Sequence, residues 1–273
     1  MKKINRRSFL AAAGLTAAAL ALTACGGSAS STASSAASSA ASSEAASTSA
    51  AAELTTVEAG KLTMATNAAF PPYEMTTDAG EFEGIDIDTA KAIAEKLGLE
   101  LQIDDMDFDA ALLSVQQGKA DIVMAGVTVT DERKAVMDFS DSYATGIQSI
   151  IVPEGSDITS PDDLAGKKIG TQRGTTGYIY CSDDFGDDAV VAYDDGLTAV
   201  QALNNGQVDA VVIDNAPAKE FVAANPGLVI LDTSYAEEDY AIGLAKGSAL
   251  EDAVNAALEE LKADGTLQSI VDK

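Results

Sequence analysis

A pattern that recurs after 88 residues is the feature that most constrains the fold of this chain. Residues 112–123 read LLSVQQGKADIV, and residues 200–211 read VQALNNGQVDAV. Each segment has the end of a helix, a glycine that stops it, a short turn, an aspartate and an apolar strand. A single unit of this kind is common in proteins. Because residues 54–273 also suit two cores of about 100 residues each, the repeat favours two lobes of similar architecture.

Helical and extended patterns alternate through the same region. We predict strands at residues 61–66, 99–103, 121–125, 146–152, 168–171, 190–192, 210–213, 229–231 and 240–244. We predict helices at residues 86–97, 107–117, 195–204, 215–223 and 249–263, with further helix starts near Thr130, Ser160 and Gly174. This alternation predicts an α/β fold with mainly parallel strands.

The N-terminus has the features of an export signal. Basic residues at positions 2, 3, 6 and 7 precede an apolar run from Leu10 to Leu22. That run is shorter than the roughly 20 residues that a spanning helix needs. It ends in LTAC, residues 22–25, which resembles a bacterial lipobox and implies a signal peptide over residues 1–24 with lipidation of Cys25. The alternative is an ordinary signal peptide with a chance cysteine.

Residues 5–10 also resemble a twin-arginine signal, so both the Sec and the twin-arginine routes stay open.

A low-complexity segment follows the signal. Residues 26–52 contain 11 Ser, 11 Ala and one charged residue, Glu44. No face of this segment can bury apolar surface, so we predict that residues 25–53 form a flexible tether with a root-mean-square span of about 30 Å.

Charge and composition exclude several classes of protein. Residues 54–273 hold 13 of the 17 Lys and Arg and 41 of the 43 Asp and Glu, which opposes binding to nucleic acid. The chain has no His and two Cys, at positions 25 and 181. Serine-type triads, His-based catalysis and ordinary zinc sites therefore lack their usual residues. We expect no catalytic residue, no metal and no cofactor.

The ends of the predicted strands are where a ligand should bind, since open α/β sheets hold ligands beyond their carboxyl ends. Arg133 is one of two Arg in residues 54–273, and its planar fork suits a carboxylate. The alternative is a surface ion pair with a neighbouring acid. Asp214 follows an apolar strand and suits an ammonium group, or it caps the next helix. The other candidates are Asn67, Phe70, Asp86, Phe108, Ala125, Gly126, Thr128, Gln172, Thr175 and Thr176.

Taken together, these motifs resemble the solute-binding proteins for polar amino acids that serve ABC importers. The resemblance covers about residues 57–272 and depends on the order and spacing of several motifs. These are NAAFPPY (67–73), GIDID (84–88), AGVTVTDER (125–133), DFS (138–140), DLAGKKIG (163–170), GTT (174–176) and DAVVID (209–214).

The resemblance implies a periplasmic-binding-protein-like fold of type II, with two Rossmann-like lobes joined by two hinge strands. By position, the hinges would lie near 143–147 and 236–240. Lobe 1 would then comprise residues 54–144 with 240–273, and lobe 2 residues 147–236.

The resemblance also implies roles for the candidate residues. Arg133 would bind the α-carboxylate of an amino acid, assisted by Gly126, Thr128, Thr175 and Thr176. Asp214 would bind the α-ammonium group. Phe70 and Phe108 would pack on the ligand side chain. The closed form, a monomer held at the outer face of the cell membrane or in the periplasm by its lipid anchor, would dock on an ABC permease.

The sequence constrains which amino acid binds less tightly than it constrains the fold. Relatives that bind cationic amino acids often carry an acid where this chain has Asn67, so we expect a neutral polar amino acid. Glu74 and Asp86 would still meet a cation if they reach the cleft. Two alternatives remain: a sensory or adhesive lipoprotein without transport, and a dehydratase-type enzyme that uses Glu74 or Asp86 as its acid or base.

Overall fold

Two main β-sheets flanked by helices make up the folded part of the chain. The computed structural model describes residues 54–273. The predicted signal peptide, the lipidation site at Cys25 and the tether over residues 25–53 lie outside the described residues, so these stay predictions.

The helices and strands of the described residues follow the alternation that the sequence predicts. The strands are β1 (Lys61–Thr66), β2 (Ala69–Phe70), β3 (Glu74–Thr76), β4 (Phe82–Glu83), β5 (Glu100–Asp105), β6 (Ile122–Val123), β7 (Met137–Phe139), β8 (Ala144–Pro153), β9 (Ile169–Gln172), β10 (Val190–Tyr193), β11 (Ala210–Asp214), β12 (Leu228–Ile230), β13 (Ala236–Tyr240) and β14 (Gly243–Ala245). The helices are α1 (Ile85–Leu97), α2 (Phe108–Gln116), α3 (Asp131–Val136), α4 (Thr176–Phe185), α5 (Gly196–Asn204), α6 (Asn215–Ala224), α7 (Glu251–Ala263) and α8 (Thr266–Val271).

Each main sheet forms the centre of one lobe. The first has the strand order β5-β1-β6-β14-β7, and the second has the order β10-β9-β11-β8-β12 with β13 also paired to β8. The sequence predicted mainly parallel strands, and all strands but one in each main sheet do run in the same direction, although the pairings between neighbours are mixed. Strand β1 is parallel to β5 and β6, and β9 is parallel to β10 and β11, but β8 and β14 run antiparallel to all their partners. Both sheets are mixed because β8 and β14, the strands that follow the two passages between the lobes, run opposite to the other strands of their sheets.

The chain passes between the two sheets at two places. Strand β7 ends at Phe139 in the first sheet, and β8 begins at Ala144 in the second. Strand β13 ends at Tyr240 in the second sheet, and β14 begins at Gly243 in the first. The predicted single strand over 240–244 is therefore two short strands. An apolar run in the sequence cannot reveal this change of sheet, because both pieces are buried.

The repeated pattern has the same structural basis in both lobes. Gly118 and Gly206 adopt left-handed φ angles of 66° and 67°, which glycine accepts without steric strain. The aspartates that follow each make two bonds to the neighbouring parallel strand. The carboxylate of Asp121 accepts from the backbone N–H of Thr63 at 2.8 Å, and the backbone N–H of Asp121 donates to the carbonyl of Thr63 at 2.9 Å. Asp209 pairs in the same way with Lys168, at 2.7 and 2.8 Å. Each aspartate thus fixes the register of the strand that it begins.

The two aspartates differ in burial, which gives a matched test of this role. Asp121 is buried and also accepts a hydrogen bond from the backbone N–H of Val57 at 2.8 Å, whereas Asp209 is exposed. Asp121→Ala leaves two N–H groups without their acceptor, and we expect it to lower the free energy of unfolding by about 2–3 kcal/mol. Asp209→Ala should lower it by about 1 kcal/mol, because water can replace the carboxylate. Urea unfolding of residues 54–273 checks both values, and equal losses would contradict the proposed role of burial.

Candidate functional site

A cavity between the two lobes gathers most of the candidate residues. Of the 12 predicted ligand-binding residues, 11 line it, and the remaining wall residue is Glu74. The lining residues are Asn67, Phe70, Glu74, Phe108, Ala125, Gly126, Thr128, Arg133, Gln172, Thr175, Thr176 and Asp214. Asp86 is the predicted residue that does not line the cavity. It lies behind the wall, fully buried.

Several of the lining residues lie just after the ends of strands, as expected for parallel strands in an α/β sheet. In the first lobe, Asn67 follows β1 and Ala125 follows β6. Gly126 has a φ angle of 55°, and a Cβ atom there would lie 2.8 Å from the ring of Phe70. The glycine therefore lets the aromatic ring lie directly against the backbone of the cavity wall.

Arg133 projects into the cavity from the first turn of α3, which Thr130 caps by accepting a hydrogen bond from the Arg133 N–H. The guanidinium donates to the carbonyl of Thr128 at 2.7 Å and to the carbonyl of Gly174, in the other lobe, at 3.2 Å. It also lies 5.4 Å from the centre of the Phe108 ring, within reach of a cation–π interaction.

The charge of Arg133 is not neutralised by a nearby ion pair. Among residues 54–273, no carboxylate lies within 4.0 Å of its guanidinium, and Asp138 instead binds Lys246 at 2.6 Å. Burial lowers the pKa of Arg133, and the carboxylates of Glu238 and Asp214 act against that change. A guanidinium remains charged under such conditions. The cavity thus holds a buried cation whose protein partners are neutral carbonyls.

Asp214 occupies the corresponding place in the second lobe, at the end of β11. It stands at the N-cap position of α6, but its side chain makes no capping hydrogen bond. Its carboxylate accepts hydrogen bonds from the hydroxyl of Tyr240 and from Nε2 of Gln148, the latter at 2.8 Å. Burial raises the pKa of Asp214 to about 7, although both hydrogen bonds favour the ionised form. The residue therefore presents its carboxyl group to the cavity and does not serve as a helix cap.

The N-terminus of α4 forms another part of the second-lobe wall. Thr175 caps this helix by accepting from the N–H of Tyr178, and Thr176 is its first residue. Free N–H groups at a helix N-terminus favour an anion.

Glu238 is a buried residue of the site that the sequence analysis missed. It lies on β13, and its Oε2 atom accepts hydrogen bonds from Thr128 at 3.1 Å, Thr176 at 3.0 Å and Gln148 at 3.0 Å. It thus links a threonine from each lobe. The segment AEEDY (236–240) contains three acids, of which Glu237 and Asp239 are exposed. The one available signal was alternation, since Glu238 shares a strand face with Tyr240.

A second acidic cluster consists of Glu74 and Asp86. Glu74 is fully buried, and neither of its oxygens meets a hydrogen-bond donor among the described residues. Asp86 uses its Oδ2 atom to accept from the N–H of Gly126 at 3.0 Å and from the hydroxyl of Tyr143 at 2.8 Å. Burial raises the pKa of Glu74 well above its usual value, and the charge of Asp86 raises it further. Burial also raises the pKa of Asp86, to about 6, although its hydrogen bonds from Gly126 and Tyr143 favour the ionised form.

A direct bridge joins the two lobes at the cavity. The side chain of Gln172 donates through Nε2 to Oδ1 of Asn67 at 2.8 Å, and Asn67 donates through Nδ2 to the carbonyl of Met106 at 3.0 Å. Both amides are therefore engaged with protein groups. Asn67 and Gln172 line the cavity, but each already has a partner.

None of the helices between Leu54 and Lys273 is long and apolar enough to cross a membrane.

Comparisons with known proteins agree with the fold. The sequence matches the family described as bacterial extracellular solute-binding proteins, family 3, over residues 62–273. It is 33% identical over 278 residues to the probable histidine-binding protein of Neisseria gonorrhoeae, which covers 99% of this chain and 96% of that protein. It is also 33% identical over 221 residues to the L-cystine-binding protein TcyJ of Escherichia coli K12, with coverages of 79% and 83%.

Solved structures show the same fold. Two solved structures of an ancestral arginine-binding protein, one bound to glutamine and one bound to arginine, are 43% and 44% identical to this chain, each with a TM-score of 0.74. The two comparisons cover 78% of this chain and 96% and 97% of the solved chains. The predicted two-lobed α/β fold of the periplasmic-binding-protein type II is confirmed. The family pattern extends through nearly the whole described region, and the chain therefore belongs to the bacterial extracellular solute-binding proteins of family 3.

Proposed function

We propose that this protein captures a polar amino acid between its two lobes and delivers it to an ABC permease in the membrane. The observation that carries this proposal is the placement of two buried, oppositely charged groups, Arg133 and Asp214, on different lobes of one cavity. A free amino acid is a zwitterion with the complementary charges. Membership of a solute-binding family favours transport over the enzymatic and the sensory alternatives.

The α-carboxylate of the ligand would bind Arg133 and the N–H groups at the start of α4. A guanidinium can bind both oxygens of a carboxylate at once, and the helix N-terminus adds favourable partial charge. The α-ammonium group would bind Asp214, which ionises fully when a cation replaces the lost solvent. Phe70 and Phe108, which both line the cavity, would enclose the aliphatic part of the ligand.

The side chain of the ligand would point towards Glu74. Among the described lining residues Arg133 is the one cation, and the carboxyl groups of Glu74 and Asp214 oppose it. The preference for a neutral ligand rested on Asn67, whose amide is bonded to Gln172 and Met106. Because Glu74 reaches the cavity with both oxygens free of protein donors, we propose a ligand with a cationic side chain instead. The ancestral relative that was solved with arginine and with glutamine supports a site that accepts both kinds of side chain.

Delivery would depend on opening and closing of the lobes. We propose that residues 54–144 with 240–273 move as lobe 1 and residues 147–236 as lobe 2, about hinges near 143–147 and 236–240. The ligand contacts both lobes, so it favours the closed state by its difference in affinity for the two states. The protein would act as a monomer, exported by the Sec or the twin-arginine route. Lipidated Cys25 and the tether over residues 25–53 would hold it at the outer face of the membrane.

A thermal-shift screen against the common amino acids tests the proposed ligand class. A ligand present at 100 times its Kd adds about 2.7 kcal/mol to the stability of the folded state. We expect arginine to give the largest shift, with lysine, histidine and glutamine giving smaller ones. No shift with any amino acid would overturn the proposed function, and a shift with neutral amino acids alone would overturn the cationic preference.

Arg133 and Arg173 form a matched pair for testing the carboxylate-binding role. Arg133→Lys keeps the positive charge but loses the planar fork, and we expect the Kd to rise about 10- to 100-fold, as for the loss of a hydrogen bond to a charged group. Arg173 is half-exposed and lies 3.5 Å from Asp194. Arg173→Lys should change the Kd by less than about twofold, since an exposed ion pair contributes little. Isothermal titration calorimetry measures both variants. Equal Kd values for Arg133→Lys and the parent protein would place the carboxylate elsewhere.

A further inference from the structure

Glu74 and Asp86 are two fully buried carboxyl groups at one wall of the cavity: Glu74 lines it, and Asp86 lies behind the wall and accepts from the N–H of Gly126, another lining residue. We propose that they share one proton, which is released to solvent when a cationic side chain binds and is retained when an uncharged side chain binds. This inference rests on the proposed function and concerns the regulation of the same site. It would let one cavity accept two chemical classes of ligand.

The geometry assigns the proton to Glu74. Asp86 receives two hydrogen bonds at Oδ2, from the N–H of Gly126 and from the hydroxyl of Tyr143, and donors of this kind favour the charged form of a carboxyl group. Glu74 has no donor from any described residue at either oxygen. Two adjacent carboxylates without a cation would repel each other strongly in a buried site, so one of them must be neutral.

Within residues 54–273, the titratable groups that act on Glu74 are acids, and two tyrosines share its surroundings. Asp86 on α1, Asp105 at the end of β5 and Asp214 at the end of β11 each raise the pKa of Glu74, after the larger effect of burial. The hydroxyl of Tyr143 donates to Asp86 at 2.8 Å, and burial, together with the charges of Asp86 and Glu74, raises the pKa of both Tyr73 and Tyr143. These tyrosines stay neutral. A cationic ligand would therefore be the first positive charge that Glu74 meets.

The two classes of ligand would use Glu74 differently. With a guanidinium, the O–H bond of Glu74 breaks, its proton goes to solvent, and the carboxylate accepts hydrogen bonds from the ligand. With a urea or amide group, protonated Glu74 donates its O–H to the ligand carbonyl and accepts an N–H through its other oxygen. No other bond changes in either case.

Proton release sets the direction of the pH dependence. If binding releases one proton, affinity rises about tenfold per pH unit while the free pair still holds its proton, and becomes constant at higher pH. Asp214, whose pKa is about 7, also titrates in this range, but it faces the α-ammonium group that every amino acid carries. Its effect cancels in the ratio of two affinities. The ratio for a cationic ligand and a neutral ligand of the same shape therefore reports on Glu74 and Asp86.

L-Arginine and L-citrulline are such a pair, since citrulline replaces the guanidinium with a neutral urea. Isothermal titration calorimetry of the full chain, in buffers that differ in ionisation enthalpy at pH 6, 7 and 8, counts the protons released. We expect arginine to release up to one proton more than citrulline at the lowest pH. The ratio of affinities should rise up to tenfold per pH unit. Equal proton counts for the two ligands at all three pH values would overturn the inference but leave the proposed function intact.

Two variants complete the test. Glu74→Gln should remove the excess proton release and make the ratio of affinities independent of pH. Asp88→Asn is the matched control, because Asp88 lies on the same helix as Asp86 and pairs with Lys91 and Lys273 at the surface. Asp88→Asn should behave like the parent protein.

Excess proton release that persists in Glu74→Gln would contradict the role of Glu74. Should this variant fail to fold, the proton count of the parent protein still decides. Failure of the parent protein to bind either ligand would overturn both the proposed function and this inference.

Discussion

One buried guanidinium and several buried carboxyl groups lie at the cavity between the lobes. The arrangement of the two lobes depends on the groups that stabilise these charges. Burying a charge is costly unless other groups replace the water that it loses. Arg133 is surrounded by backbone carbonyls and an aromatic ring, Asp214 by a phenol and an amide, and Glu238 by two hydroxyls and an amide. Each charge is stabilised by dipoles without a direct salt bridge. A zwitterion can therefore bind between them without first breaking an ion pair.

The repeat explains why these charges converge. In each lobe, a helix ends at a left-handed glycine, and an aspartate then fixes the next strand against its parallel neighbour. The strands that follow, β6 and β11, end at the cavity with Ala125 in one lobe and Asp214 in the other. The two halves of the site thus follow the same helix–glycine–aspartate–strand unit, which occurs once in each of the two main sheets.

Much of this site was predictable from the sequence, because strand ends and residue scarcity are local signals. Arg133 stood out as one of two arginines, and Asp214 as an acid that ends an apolar strand. How deeply a side chain is buried, and whether it points into the cavity, were not predictable from the sequence. Asp86 lies at the predicted start of a helix and Glu74 twelve residues before it, and only the tertiary packing sets Glu74 in the cavity wall and Asp86 behind it. Glu238 was missed because its inward direction depends on the pairing of β13 with β8, which the change of sheet at Tyr240 conceals in the sequence.

The contacts that would bind a ligand also hold the lobes together. Arg133 donates to Gly174 across the cavity, Gln172 donates to Asn67, and Glu238 accepts from Thr128 and Thr176. In the proposed closing motion, these bonds would stabilise the closed arrangement in addition to the contacts of the ligand. A ligand shifts such an equilibrium only by the difference between its affinities for the closed and open states. Stronger bonds between the lobes would raise apparent affinity but slow release, whereas weaker bonds would leave closure to the ligand alone. Arg133 would bind both the carbonyl of Gly174 and the carboxylate of the ligand. The relative strength of these two contacts therefore determines both the affinity of the closed state and the ease with which the ligand is delivered.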